Sequence, residues 1–288
     1  MKLSKKLKIF ITFYLFLLPV LPAHAQVPRR IVSLAPSLTE SLYQLGAQED
    51  LVAVTSHCNH PPQAKTKKII GNLSNPNIEK IFSLSPDLIL TVEGTNRPRT
   101  IKKLKDLNLK VVTFKQATSL DDITKNFIRL GKLLEKQKKA EEIVGEVESK
   151  VSFIAQKVEG LPSLRIFWQV GAHPLVTAGR NSFVSDFMKY AGGINIFANI
   201  PIKYPRVSRE EVIKRNPEII ILVTMGDVTA KEKDYWRQFK DLEAVKINRI
   251  YIVDADKVCR PTPTSFLAGL NELAKLLHPE AFKEREQF

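Results

Sequence analysis

The sequence predicts an α/β fold: two lobes of alternating strand and helix, joined by one long rigid α-helix, with a ligand cleft between them. Three observations predict it. Aliphatic runs of strand length alternate with amphipathic stretches, the pattern of parallel βα units. The segment from Asn77 to Leu90 is echoed by that from Ser208 to Ile221. In both, a glutamate (Glu79, Glu210) opens a short amphipathic helix, a proline (Pro86, Pro217) follows seven positions later, and an acidic residue leads into an aliphatic run. Between the halves, Ala140, Ile143, Val144, Val147, Val151, Ile154 and Val158 recur at helical spacing with Lys and Glu on the other face. Two similar, Rossmann-like lobes on a helical strut account for all three.

The first residues give an address. Lys2, Lys5, Lys6 and Lys8 precede an apolar run from Ile9 to Leu21, and Ala23-His24-Ala25 supplies small residues for cleavage. Residues 1–25 are expected to be a secretory signal peptide cleaved near Ala25, leaving a soluble periplasmic protein. The apolar run is short for a membrane span and Pro19 and Pro22 interrupt its end. No cysteine stands at the cleavage point, which argues against a lipid anchor.

The remaining chain is expected to divide into an N-terminal α/β lobe over 26–137, a connecting helix over 138–160 and a C-terminal α/β lobe over 161–288. In the first lobe, strands read at Arg30 to Leu34, Leu51 to Thr55, Leu88 to Val92 and Leu109 to Phe114. Ser37 and Glu40 have the spacing of a capping box at the first helix. Helices read from Arg99 to Leu107 and from Leu120 to Leu134, the latter packing on the first lobe. Gly160 and Pro162 end the connecting helix. The second lobe repeats the plan: a strand from Arg165 to Val170, a helix from Ser182 to Ala191, strands at Ile219 to Val223 and Ile250 to Asp254, and a helix from Pro263 to Leu277. Each echoed helix should stop before its proline, because the preceding residue is pushed out of the α region.

Composition narrows function. Loss of the four leader lysines lowers the formal +14 to about +10. The lysines are spread over helices and loops without interleaved aromatics, so nucleic-acid binding is not expected. Cys58 and Cys259 are the only cysteines, one per lobe, which rules out a disulfide-stapled scaffold and makes a bridge awkward. Phosphate-binding loops, dinucleotide fingerprints, nucleophile elbows and zinc-protease motifs are all missing, so no enzyme is indicated.

The strand-end loops carry the binding candidates. Thr55 to Ala64 follows a strand, at the sheet edge where open α/β folds take ligands. His57, Cys58 and His60 could hold a transition metal there, with His173 from the other lobe, although Pro61-Pro62 also fits a stiff loop facing an organic ligand. Loops at Gly71 to Pro76, Glu93 to Asn96, Gly171 to Pro174, Lys203 to Pro205 and Asp256 to Pro261 would line the two walls of one cleft.

The segments Ile31 to Glu40, Cys58 to Ala64, Asn75 to Glu79, Val207 to Glu210 and Arg260-Pro261 resemble those of periplasmic cobalamin (vitamin B12)-binding proteins of ABC transporters. These belong to the helical-backbone (class III) substrate-binding proteins, which also include siderophore and haem binders. The resemblance implies a monomeric binding protein that captures cobalamin, or a related corrinoid or metal chelate, and delivers it to an inner-membrane ABC permease dimer. It implies no cofactor, the chelate being cargo. By position it assigns ligand binding to His57, Leu73, Val92, Val170, Tyr204, Asp256 and Arg260, and transporter docking to Glu79 and Glu210; the strand-end loops add His60 and His173 to the expected ligand-binding set. Leu73, Val92 and Val170 stand where the family has large aromatics, His57 where it has a tyrosine and Tyr204 where it has a tryptophan. No direct metal ligand is expected, unless His57 or His173 makes an axial contact to cobalt or haem iron. Two alternatives remain at this point: a haem or ferric-siderophore binder of the same family, and a secreted zinc-dependent hydrolase using His57, His60 and Asp256.

Overall fold

The computed structural model describes residues 27–225, 228 and 230–283; the expected signal peptide lies outside them. Five parallel strands form the N-terminal sheet, in the order β3-β2-β1-β4-β5. They are β1 (Ile31–Ser33), β2 (Leu51–Val54), β3 (Lys68–Ile69), β4 (Leu88–Val92) and β5 (Val111–Phe114). Helices α1 (Pro36–Gln44), α2 (Ile78–Ser83) and α3 (Pro98–Asp106) connect them. Leu88, Ile89 and Leu90 are wholly buried, as expected for a strand covered on both faces.

Two helices follow, α4 (Leu120–Leu133) and α5 (Gln137–Val158). The C-terminal lobe then holds β6 (Leu164–Ala172), β7 (Leu175–Thr177), α6 (Phe183–Tyr190), β8 (Gly193–Asn195), α7 (Arg209–Arg215), β9 (Ile219–Val223), α8 (Ala230–Trp236), α9 (Glu243–Lys246), β10 (Ile250–Val253), α10 (Ala255–Val258) and α11 (Pro263–Leu277). Its sheet runs β10-β9-β6-β7, with β8 also on β6. The expected repetition of the parallel plan is broken at one place: β7 is antiparallel to β6.

The echoed segments are structurally equivalent. Asp87 accepts hydrogen bonds from the amides of Arg29 and Arg30 (2.8 and 3.1 Å), and Glu218 accepts one from Arg165 (2.9 Å). Reciprocally, the Arg30 guanidinium donates to the Leu84 carbonyl and that of Arg165 to the Asn216 carbonyl, 2.8 and 3.0 Å. Each acidic residue and each arginine thereby sets the parallel register, which begins at Ile31 with Leu88 and at Ile166 with Ile219. The residues before the two prolines, Ser85 and Asn216, take φ of 44° and 43°, so both helices stop in the left-handed region.

The join between lobes is stronger than the single strut that periodicity predicts. The covalent link is α5, whose Ala140 and Val144 enter the N-terminal core while Val147, Val151 and Ile154 enter the C-terminal core. At 22 residues it is about 33 Å long. Helix α4 was expected to pack on the first lobe, yet it also spans both. Its Phe127 and Leu130 belong to the N-terminal core, whereas Leu120 and Ile123 pack with Trp168, Phe187 and Phe266 of the C-terminal one. The cause is the short turn before α5, which folds α4 back antiparallel along it. A Cβ at Gly131 would lie 2.6 Å from that of Ala140, so glycine permits the close approach there.

Candidate functional site

The cleft opens at the carboxyl ends of the strands. In the N-terminal sheet the chain leaves β1 toward β2 on one side and returns to β4 on the other. The loops after β1 and β4 therefore diverge at a switch point, where open α/β sheets take ligands. Ala35, Pro36 and Ser37 from the first loop and Val92 and Thr95 from the second line a cavity of about 210 Å³, with Leu73, Gln116 and Ala117 beside them. The facing wall is Phe183, Lys203, Tyr204, Cys259, Arg260 and Pro261.

That wall is held in place by main-chain bonds. The segment carrying Lys203 and Tyr204 lies along the edge near β7, where Gly179 N donates to Lys203 O (2.9 Å) and Thr177 N to Pro205 O (3.1 Å). A Cβ at Gly179 would collide with the Ile202 carbonyl, so the approach requires glycine. Tyr204 keeps 39% of its surface exposed, while burial of its hydroxyl end, reinforced by neighbouring Cys259, raises the phenol pKa. Burial likewise pushes the Cys259 thiol up to about 12, with Asp256 and Asp254 adding to the shift. Cys58 and Cys259 are both free thiols.

Arg260 is buried, and its Nη2 donates to Asn59 Oδ1 (2.8 Å) in the N-terminal lobe and to Asp256 Oδ1 (2.5 Å) in its own. Its Nη1 stands 3.9 Å from Glu40 Oε2. Desolvation lowers the Arg260 pKa and the Glu40 charge opposes that shift. Glu40 is itself buried. Its Oε1 accepts from Thr262 Oγ1 (2.6 Å), Ser265 Oγ (2.5 Å) and Gln44 Nε2 (2.8 Å). The expected Ser37–Glu40 capping box does not form: α1 begins at Pro36, Ala35 is the N-cap, and no side chain caps it. Proline at the first position has no amide to satisfy, and Glu40 instead faces the hydroxyls and guanidinium of the opposite lobe.

Leu73, Val92, Tyr204 and Arg260 meet in the cavity. Asp256 stands behind Arg260 and orients it. The others lie elsewhere. His57 is exposed, with Nδ1 3.3 Å from Ser56 Oγ. His60 lines a separate inter-lobe groove with Glu40, Tyr43, Gln44 and Thr264. Val170 packs against the C-terminal core. His173 was expected in a loop after a strand ending at Val170; β6 instead continues to Ala172, and His173-Pro174 turns directly into β7 because Ala172 pairs with Leu175. Among the described residues no group of three or more His, Cys, Asp or Glu side chains is placed to hold a metal ion. Neither the His57, Cys58, His60 set nor a hydrolase triad of His57, His60 and Asp256 is therefore assembled. Glu40 and Phe183 were missed. A glutamate one helical turn into α1 carries no sequence signal for a contact more than two hundred residues away.

A family model described as periplasmic binding protein matches residues 31–257. The chain belongs to the periplasmic binding protein family. Like its relatives, this periplasmic binding protein is a substrate-binding component of transport, and the family places it outside the cytoplasm. It is 31% identical over 251 residues to the vitamin B12-binding protein of Vibrio cholerae serotype O1, covering 87% of this chain and 90% of that one. It is 32% identical to the ABC transporter substrate-binding lipoprotein YvrC of Bacillus subtilis, over 89% of this chain and 82% of that one. The crystal structure of the periplasmic vitamin B12-binding protein BtuF of Vibrio cholerae superposes with a TM-score of 0.77 at 29% identity, covering 89% of this chain and 99% of that one. No helix among the described residues is long and apolar enough to cross a membrane.

Proposed function

We propose that this periplasmic binding protein captures cobalamin, or a closely related corrinoid, in the cleft between its lobes and delivers it to an inner-membrane ABC permease. The observation that carries the reading is the inter-lobe cavity at the switch point, walled by apolar Leu73, Val92 and Phe183 and by Tyr204, in a chain whose relatives are named for vitamin B12. An apolar lining with few polar groups suits the face of a macrocycle. At about 210 Å³ the cavity is below the ~300–1,000 Å³ of ordinary small-molecule sites. Cargo entry therefore requires the lobes to part, and the two bridging helices set how far. Arg260, fixed by Asp256, Asn59 and Glu40, supplies directional polar contact at the cleft wall.

Isothermal titration of the mature protein with cyanocobalamin tests the reading. A saturable exotherm and a raised melting temperature are expected; no heat and no shift at saturating ligand would sink it. A Soret band retained through purification would replace cobalamin with haem.

Glu79 and Glu210 are proposed as the transporter contacts. Both are exposed and occupy the second position of their helices, after the caps Asn77 and Ser208. The Glu210 carboxyl is held low by bonds to its own backbone and to Ser208. Paired carboxylates on two similar lobes suit a two-fold partner bearing basic residues. Glu79→Arg combined with Glu210→Arg should abolish uptake in cells and leave cyanocobalamin affinity unchanged; undiminished uptake would refute the assignment.

A further inference from the structure

Among the described residues the cavity is lined by two cations, Lys203 and Arg260, and by no carboxylate. The two differ in how their charge is met. Arg260 is balanced by Asp256 at 2.5 Å and Glu40 at 3.9 Å. Lys203 forms no ion pair among the described residues. Among the described residues its one hydrogen bond goes to the Ala117 carbonyl, 2.8 Å away, on a residue that packs with the C-terminal core. An ammonium has three donors, so this group leaves bonding capacity unspent at this wall of the cleft. Its backbone is fixed by the Gly179 to Lys203 bond, which places the charge before cargo arrives. Burial lowers the ammonium pKa to about 8, with Asp122 pulling the other way. A negative charge beside Lys203 would reverse that desolvation effect.

We propose that Lys203 is a direct cargo contact that selects an anionic oxygen, a carboxylate or a phosphate, at the C-terminal wall of the cleft. The inference rests on the cleft being the cargo site and adds the chemistry that the cargo presents there. The Ala117 carbonyl occupies one ammonium donor and leaves two for cargo. An anionic group meets them with a stronger, charge-assisted bond, whereas a neutral amide makes only a weaker one. The contact therefore discriminates between otherwise similar corrinoids.

The test compares affinities of wild type, Lys203→Met and Lys203→Arg by isothermal titration with three probes. Dicyanocobinamide has neutral amides and no phosphodiester. Cyanocobalamin has neutral amides and one phosphodiester, and cobyrinic acid has carboxylates and no phosphodiester. Lys203→Met should weaken at least one anionic probe about tenfold or more, the difference between a charged and a neutral hydrogen bond, and change cobinamide binding less than about twofold. Lys203→Arg should restore most of the loss. Loss for cyanocobalamin identifies the phosphodiester, and loss for cobyrinic acid the carboxylates. Equal loss for all three probes, or none for any, overturns the proposal while leaving the cleft as the cargo site. Failure of wild type to bind any probe removes the cargo reading, and the Lys203 contact with it.

Discussion

The two helix-proline-strand units share a backbone design and differ in what stands behind them. In the N-terminal copy, α2 rests on local devices: Asn77 caps it, and Asp87 with Arg30 ties its end to β1. In the C-terminal copy, Ser208 caps α7 in the same way, but the first helical residue, Arg209, also forms a largely buried ion pair with Glu232 at 3.2 Å. Arg209 lies over the Tyr235 ring at 3.9 Å, and the pair continues through Gln169 to the Trp236 indole. One corner is therefore fixed by caps and the other by a buried charge network. Repeated geometry does not mean repeated energetics: Glu79 and Glu210 occupy equivalent positions on supports of unequal stiffness.

Substitutions can break this comparison in order of expected effect. Glu232→Ala should cost about 3–5 kcal/mol, because it leaves the Arg209 charge largely buried and unpaired. Urea unfolding measures it, and a cost near zero would show that the network does not brace the C-terminal corner. Asp87→Ala should cost about 2 kcal/mol and Glu218→Ala about 1 kcal/mol, since the first loses two backbone donors and the second one. A reversed order would mean that register is anchored chiefly in the C-terminal copy. Asn77→Ala and Ser208→Ala should each cost about 1 kcal/mol, the ordinary value of an N-cap. A clearly larger effect at Ser208 would indicate coupling to the neighbouring Arg209. Smallest of all, Glu79→Arg and Glu210→Arg should each change stability by no more than about 0.5 kcal/mol, being exposed. A thermal melt separates that outcome from their expected effect on uptake.

The sequence made the regular elements legible where burial imposes a pattern. Leu88–Val92, Ile219–Val223 and Pro263–Leu277 end where the expected strands and helix end, because aliphatic runs flanked by Pro and Asp or Glu leave few alternatives. The short strands β3, β7 and β8 escaped, since two or three residues carry no periodicity. The apolar stripe of α4 was visible, but periodicity cannot say that Leu120 and Phe127 face different cores. In the site, Leu73, Val92, Tyr204 and Arg260 could be placed by resemblance. The role of Glu40 could not, because it depends on Thr262, Ser265 and Arg260 arriving from the far end of the chain. The backbone at His173 was not legible either, for the same reason at short range: β6 runs two residues further than expected, to Ala172, and the loop expected there is a hairpin turn into β7.

The shared helices have a thermodynamic consequence. With Leu120 and Ile123 of α4 buried in one core and Phe127 and Leu130 in the other, neither core can melt without exposing part of a helix that the other needs. Glu40 adds a polar tie between the same two bodies. Unfolding should therefore be a single cooperative event. Calorimetry of the ligand-free protein should give one endotherm whose van't Hoff and calorimetric enthalpies agree, and Gly131→Ala, by wedging α4 from α5, should lower and split it. The bridge between the lobes is thus also expected to make them one thermodynamic unit.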